Sequence, residues 1–78
     1  MLIIETKNLA FKDTSSDKVY HAYLVKEGSE YLVNFEFGKR GTKLQSGTKT
    51  VAPVSELEAR HIFDKIVKEK LAKGYHEE

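Results

Sequence analysis

The sequence predicts an α+β fold: a curled antiparallel β-sheet of about four strands with one C-terminal α-helix packed across it. Three observations support this prediction. Residues 31–37 alternate large apolar and polar side chains, as a half-buried strand does. Residues 55–73 repeat apolar side chains at helical spacing. The length of 78 residues suits one domain with one core, and we expect residues 1–78 to form it.

Three strands are predicted from β-prone runs separated by polar turns. The first run covers residues 2–11, the second 19–25 and the third 31–37, with turns at 12–17 and 26–30. In the third run, one face carries Tyr31, Val33, Phe35 and Phe37, which we expect to form the sheet side of the core. A further strand is predicted to return through residues 48–51 and to end before Pro53.

The C-terminal helix has clear signals at both ends. Ser55 and Glu58 form a capping box at its start. Gly74 stands where a left-handed C-cap belongs, and Tyr75 is placed to fold back on the last turn. The apolar stripe between them consists of Ala59, Ile62, Phe63, Ile66, Val67 and Leu71. One stripe allows the helix to cover one face of the sheet.

Positive charge is concentrated in one short segment. Residues 1–37 have a formal balance of −2, and residues 51–78 have a balance of −1. Residues 38–50 carry Lys39, Arg40, Lys43 and Lys49 with no acidic residue, a balance of +4. Glycines bound this segment and permit a close approach of the backbone, so it is suited to phosphate groups. An ordinary solvated loop is the alternative interpretation.

Other chemistries have little support in the sequence. The spacing between Gly41 and Gly47 is wrong for a phosphate-binding P-loop. The chain has no cysteine, and its three histidines lack a ligand-like spacing, so we expect neither metal nor cofactor. No serine, histidine and carboxylate are arranged as a catalytic set, so we do not expect an enzyme. The absence of cysteines, a signal sequence and long apolar runs predicts a cytoplasmic protein without membrane contact.

Five short motifs, in order and spacing, resemble the WGR domain family. They lie at residues 17–20, 37–42, 47–50, 63–70 and 73–75, so the resemblance covers about 9–75 and leaves residues 1–8 outside. The Trp-Gly-Arg triplet that names the family is Phe37-Gly38-Lys39 in this chain. Phenylalanine keeps a flat ring without the indole N–H, and lysine keeps the charge without the bidentate fork.

The resemblance implies a binding module. In the poly(ADP-ribose) polymerases, WGR domains contribute to recognising DNA ends and to contacts between domains. The residues expected to bind nucleic acid are Phe37, Gly38, Lys39, Arg40, Lys43 and Lys49. DNA, at ends or breaks, is the expected ligand, with RNA as a further option. The alternative is a protein-interaction module that uses the same basic edge or an open strand edge.

Overall fold

The computed structural model describes residues 2–78, which form an open antiparallel sheet of five strands and one helix. The strands lie in the order β4-β3-β2-β1-β5. Their bounds are Leu2–Lys12 for β1, Asp17–Glu27 for β2, Glu30–Lys39 for β3, Gln45–Thr48 for β4 and His76–Glu77 for β5, with helix α1 at Glu56–Ala72. The predicted fold class is confirmed, with one strand more than the expected number of about four.

Strands β1, β2 and β3 form a continuous meander. The first turn is held by the carboxylate of Asp13, which accepts hydrogen bonds from the backbone N–H groups of Ser15 and Ser16 at 2.9 and 2.7 Å. The second turn has only two residues, Gly28 and Ser29, between the paired ends of β2 and β3. Short turns fix the register, so the apolar faces of the three strands coincide.

The core lies between α1 and one face of this meander. Tyr20 pairs with Phe37, Ala22 with Phe35 and Leu24 with Val33, so these three residues of β2 lie on the same face of the sheet as the predicted apolar face of β3. From the helix, Ala59, Phe63, Ile66 and Val67 are buried against it. Leu71, which the periodicity included in the stripe, is 41% exposed, so that assignment is wrong. Leu71 lies in the last turn of α1, where the apolar stripe no longer faces the core. The chain leaves the helix after Ala72 and turns back toward the sheet.

Both ends of α1 are capped at the predicted residues, but the return bond of the capping box, from the backbone N–H of Ser55 to the Glu58 side chain, is not formed within residues 2–78. The Ser55 hydroxyl accepts from the backbone N–H of Glu58 at 3.2 Å. At the other end, Gly74 has a φ of 103°, a backbone conformation that residues other than glycine rarely adopt. The backbone N–H of Tyr75 then donates to the Lys70 carbonyl at 3.1 Å, and that of Gly74 to the Leu71 carbonyl at 3.1 Å. This Schellman motif returns the Tyr75 ring to the sheet.

Two short strands differ from the sequence-based expectation. The return strand was expected through residues 48–51, but β4 ends at Thr48, and Val51 is fully exposed. Val54 instead forms an isolated bridge with Tyr31, which brings the chain to the start of the helix. Strand β5 follows Gly74 and pairs with Leu9 and Ala10 of β1. A two-residue strand is too short to produce an alternating pattern in the sequence.

The opposite face of the sheet carries hydrogen-bonded polar side chains between neighbouring strands. His21 Nδ1 lies 2.7 Å from the Asn8 Oδ1 atom, and the Tyr23 hydroxyl donates to Glu36 Oε1 at 2.6 Å. Burial, followed by this bond to Glu36, raises the pKa of Tyr23 to about 12. Within residues 2–78, no helix has the length and apolar character needed to cross a membrane.

The raised pKa of Tyr23 predicts a loss of stability in alkali. A group whose folded-state pKa exceeds its unfolded value, about 10 for tyrosine, stabilises the fold below pH 10. That contribution is lost as the pH rises through the folded value. We expect the difference in free energy of unfolding between the wild type and Tyr23→Phe to shrink between about pH 9 and pH 12. Urea titrations at stepped pH measure it; a constant difference would contradict the assignment.

Candidate nucleic-acid interface

The triplet Phe37-Gly38-Lys39 lies at the end of β3. Phe37 has its ring on the helix side of the sheet, where it stacks on Tyr20 and Phe35, and it remains 37% exposed. A side-chain carbon added at Gly38 would lie 3.1 Å from a methyl group of Leu44, so the chain that returns from the turn packs directly on this glycine. The fold therefore holds Phe37 at the rim of the core with one part of its ring open to solvent.

The four basic residues of segment 38–50 do not act as one patch. Lys39, Lys43 and Lys49 are exposed, and none of them is in an ion pair within residues 2–78. Arg40 is different, because its guanidinium lies 3.0 Å from the Asp17 carboxylate and 2.7 Å from that of Glu78. Both carboxylates raise the pKa of Arg40, with Glu78 the stronger influence. The expectation that no acidic residue neutralises this segment is wrong for Arg40.

Five aromatic rings form a row on the side of the sheet that faces the helix. We call this row the aromatic platform. Its members are Phe11, Tyr20, Phe35, Phe37 and Tyr75, whose neighbouring ring centroids lie 5.7–6.5 Å apart. Tyr20 and Phe35 are nearly parallel, with an interplanar angle of 4°, and Phe37 is inclined to them by 24° and 21°. Tyr75 reaches the platform because the Schellman turn directs the chain back toward β1 and β2.

Lysines from three parts of the chain surround the platform. Lys70 lies over the Tyr20 ring at 4.6 Å, Lys49 over the Phe35 ring at 5.0 Å, and Lys18 over the Phe11 ring at 5.6 Å. Lys39 and Lys73 line neighbouring hollows that also include Tyr75. Three of these five lysines lie outside segment 38–50, so they could not be found from the charge of that segment. Two features could have indicated these lysines. Lys18 pairs with Lys39 across β2 and β3, and Lys70 lies in the last turn of the helix, shortly before Gly74.

Between β4 and the end of α1 the platform opens into a groove of about 310 Å³, lined by Tyr20, Phe35, Phe37, Lys49 and Lys70. We call it the Tyr20 groove. The phenol of Tyr20 is 3% exposed, and its hydroxyl has no hydrogen-bond partner within residues 2–78. Burial raises the pKa of Tyr20. Burial, followed by repulsion from Lys73 and Lys49, lowers the pKa of Lys70. The groove thus combines flat apolar surface with two lysines that form no ion pair within residues 2–78, and Glu69 is the acidic residue nearest in influence to Lys70.

A family model for the WGR domain matches residues 5–78. The chain belongs to the WGR domain family. The match begins before and ends after the range of about 9–75 inferred from the motifs, and it leaves only the first four residues outside. Searches of curated proteins and of solved structures found no significant match. A WGR domain is a small module of the nucleic-acid-binding type and is not catalytic by itself.

The triplet of this chain, Phe37-Gly38-Lys39, differs from Trp-Gly-Arg in its first and third residues and keeps the glycine. Phe37 presents a ring that is stacked and partly open, so the apolar surface of the usual tryptophan is kept and its N–H donor is lost. Lys39 offers a single point charge in place of a guanidinium fork. Arg40, the next residue, does not replace that fork, because its guanidinium is bound to Asp17 and Glu78.

Residues with acid–base or metal-binding side chains are spread over the surface. His21 lies on the face of the sheet opposite the platform, in contact with Asn8, while His61 is exposed on α1. Across residues 2–78, no group of three or more histidine or acidic side chains is placed to hold a metal ion. The aromatic platform and its lysines are therefore the arrangement on which we base a function.

Proposed function

We propose that this WGR protein is a non-catalytic module that binds DNA, with a preference for ends or breaks, through Phe37, Gly38, Lys39, Arg40, Lys43 and Lys49. The observation that supports the proposal best is the position of Phe37 on the aromatic platform, beside lysines that have no carboxylate partner. Lysines attract the phosphates, and an open ring face can stack on a sugar or a base where the duplex ends. RNA offers the same phosphates and is a second possible ligand. We expect the module to act in the cytoplasm.

The proposed residues have different tasks. Lys39, Lys43 and Lys49 supply phosphate contacts, since their charges are uncompensated. Arg40 follows β3 directly and chiefly anchors the turn after that strand. Its guanidinium donates to Asp17, at the start of β2, and to Glu78, beyond β5. Gly38 lets the returning chain pack closely at Leu44 and so fixes the turn beside Phe37. The exposed face of α1 carries acidic as well as basic side chains, so sequence-specific reading of a DNA groove is not expected.

The ion pairs of Arg40 change the expected salt dependence. Each phosphate neutralised on duplex DNA contributes about −0.9 to the slope of log K against log salt, so three lysines predict a slope of about −3. Fluorescence anisotropy with labelled intact duplex, nicked duplex and single-stranded DNA at two salt concentrations measures both the slope and the preference. An absence of binding to every form at about 50 mM salt and tens of micromolar protein would refute the proposal.

A protein-interaction module is the second candidate, favoured by the start of β1. Leu2 and Ile3 are 60% and 55% exposed. On the outer edge of β1, β5 pairs only with Leu9 and Ala10, which leaves the edge of residues 2–7 unpaired within the described chain. An extended partner segment can add a strand to such an edge. Recovery of a protein partner free of nucleic acid, together with failure of the DNA titrations, would favour this function.

A further inference from the structure

The Tyr20 groove has a feature that a general phosphate-binding surface does not explain. Tyr20 lines the groove with Phe35 and the two lysines and is almost fully buried, and its hydroxyl has no hydrogen-bond partner within residues 2–78. A buried hydroxyl without a hydrogen bond costs free energy, so such atoms are rare in folded proteins. Thr50 Oγ1 is also without a partner within residues 2–78, but Thr50 does not line this groove.

The groove offers three kinds of contact within one small volume. Phe35 and Phe37 give stacking surfaces inclined by 21°, and Lys49 and Lys70 give cations over the rings of Phe35 and Tyr20. Tyr20, which lines the groove beneath Lys70, carries a buried hydroxyl donor that has no partner within residues 2–78. A ligand that uses all three has a flat ring, a polar edge that accepts a hydrogen bond, and a negative charge beside the ring. A nucleotide unit has each of these properties.

The size and position of the groove favour an unpaired base over a paired one. A base inside a duplex has both ring faces covered by its neighbours, so it cannot stack on Phe35. The last pair of a blunt duplex exposes one face, which Phe37 at the rim can meet, but the groove of about 310 Å³ between β4 and α1 suits one nucleotide unit only. An unpaired base, freed from its partner strand, can enter between Lys49 and Lys70.

Gly47 is the residue that shapes the floor of this groove. It pairs with Phe35 across β3 and β4, and a side-chain carbon added at this position would lie 2.7 Å from the tip of the Phe35 ring. The tip of the ring therefore fills the space that a side chain would take at this position, and Tyr20 and Lys49 lie beside the same ring. The backbone of Gly47 does not have a positive φ, so close contact with the ring is what requires glycine here.

We infer that the Tyr20 groove binds one unpaired nucleobase, stacked on Phe35 and Phe37, with the adjoining phosphate held by Lys49 and Lys70. The inference rests on the proposed function, because it assumes a nucleic-acid ligand. It adds that the preferred end is one with a single-stranded overhang. When the base enters, Lys70 leaves the Tyr20 ring for the phosphate, a movement that its flexible stem allows. This movement of Lys70 uncovers Tyr20, whose hydroxyl then donates to the edge of the base.

Three duplexes of the same core sequence test this inference by anisotropy at fixed salt: blunt, with a short thymidine overhang, and with an abasic overhang of the same length. The abasic overhang keeps the phosphates and removes the bases. We expect the thymidine overhang to bind at least about fivefold more tightly than the blunt duplex, since a stacked base contributes that much or more. We expect most of that gain to be absent from the abasic overhang.

Two variants connect the preference to the groove. Tyr20→Phe removes only the hydroxyl, so we expect it to keep the melting temperature and to reduce the preference for the thymidine overhang severalfold. Lys70→Gln should do the same, while Lys68→Gln, a charge removed from the exposed face of the same helix, should leave the preference unchanged.

The outcomes separate the inference from the proposed function. Equal binding of blunt and thymidine-overhang duplexes, or equal binding of thymidine and abasic overhangs, overturns the inference and leaves DNA binding intact. A preference that survives in Tyr20→Phe and in Lys70→Gln also overturns it, because the base then stacks elsewhere. If none of the three duplexes binds, the proposed function fails and the inference fails with it.

Discussion

Phe63→Ala is expected to destabilise the protein by about 3–5 kcal/mol, as truncation of a buried phenylalanine does. Phe63 is 1% exposed and lies at the centre of the core that joins α1 to β2 and β3. A chain of 78 residues has a total stability of only about 4–12 kcal/mol, so this loss removes much of it. We expect a fall in the melting temperature of at least about 12 °C, or no folded state at all.

A matched variant on the same helix controls for changes in helix propensity. Leu57 is 82% exposed, and Leu57→Ala removes an apolar side chain that makes no core contact. Its effect should stay within about 0.5 kcal/mol. Chemical denaturation followed by circular dichroism measures both variants. If residues 1–78 form one domain, the wild type will unfold in one transition; a loss below about 1 kcal/mol in Phe63→Ala would show that this ring is not central to the core.

Local periodicity was sufficient to predict the main elements because each one carries its own signal. The alternation of Tyr31, Val33, Phe35 and Phe37 places them on one face of β3, where Val33 is buried and Phe37 is at the exposed rim. Ser55 and Gly74 mark the two ends of α1. The exceptions are positions whose secondary structure or burial depends on tertiary contacts and not on the local sequence. β5 exists because the Schellman turn brings residues 76–77 beside β1, and Leu71 is exposed because the helix leaves the core there.

The candidate site was harder to predict, since its parts come from distant positions. Phe37, Lys39 and Lys49 were found from the motif and the local charge. Arg40 was grouped with them, but its partners are 23 and 38 residues away in the sequence, and a count of charge by segment does not register such pairs. Tyr20 lies in the predicted second strand, but its unpartnered hydroxyl and the cation above its ring depend on the three-dimensional packing of the sheet and of Lys70.

The proposed contributions of the lysines and of Arg40 to DNA binding can be tested separately. Replacing Lys39, Lys43 and Lys49 by glutamine should remove most of the binding and bring the slope of log K against log salt close to zero, since each phosphate that is no longer neutralised changes the slope by about 0.9. Arg40→Gln alone should change the slope little, because its charge is already balanced by Asp17 and Glu78. The variant with all four replacements should show no binding.

A loss of net charge alone could also weaken binding, so an equal charge change elsewhere is needed as a control. Lys26, Lys65 and Lys68 are exposed and lie outside segment 38–50, the aromatic platform and the Tyr20 groove. Replacing these three by glutamine lowers the net charge by the same amount and should keep most of the affinity and the slope of about −3. If this control loses as much affinity as the variant at Lys39, Lys43 and Lys49, binding depends on overall charge and not on the proposed surface. If instead Arg40→Gln alone flattens the slope, its carboxylate partners must give way to phosphate in the complex, and Arg40 is a phosphate ligand rather than an anchor of the turn.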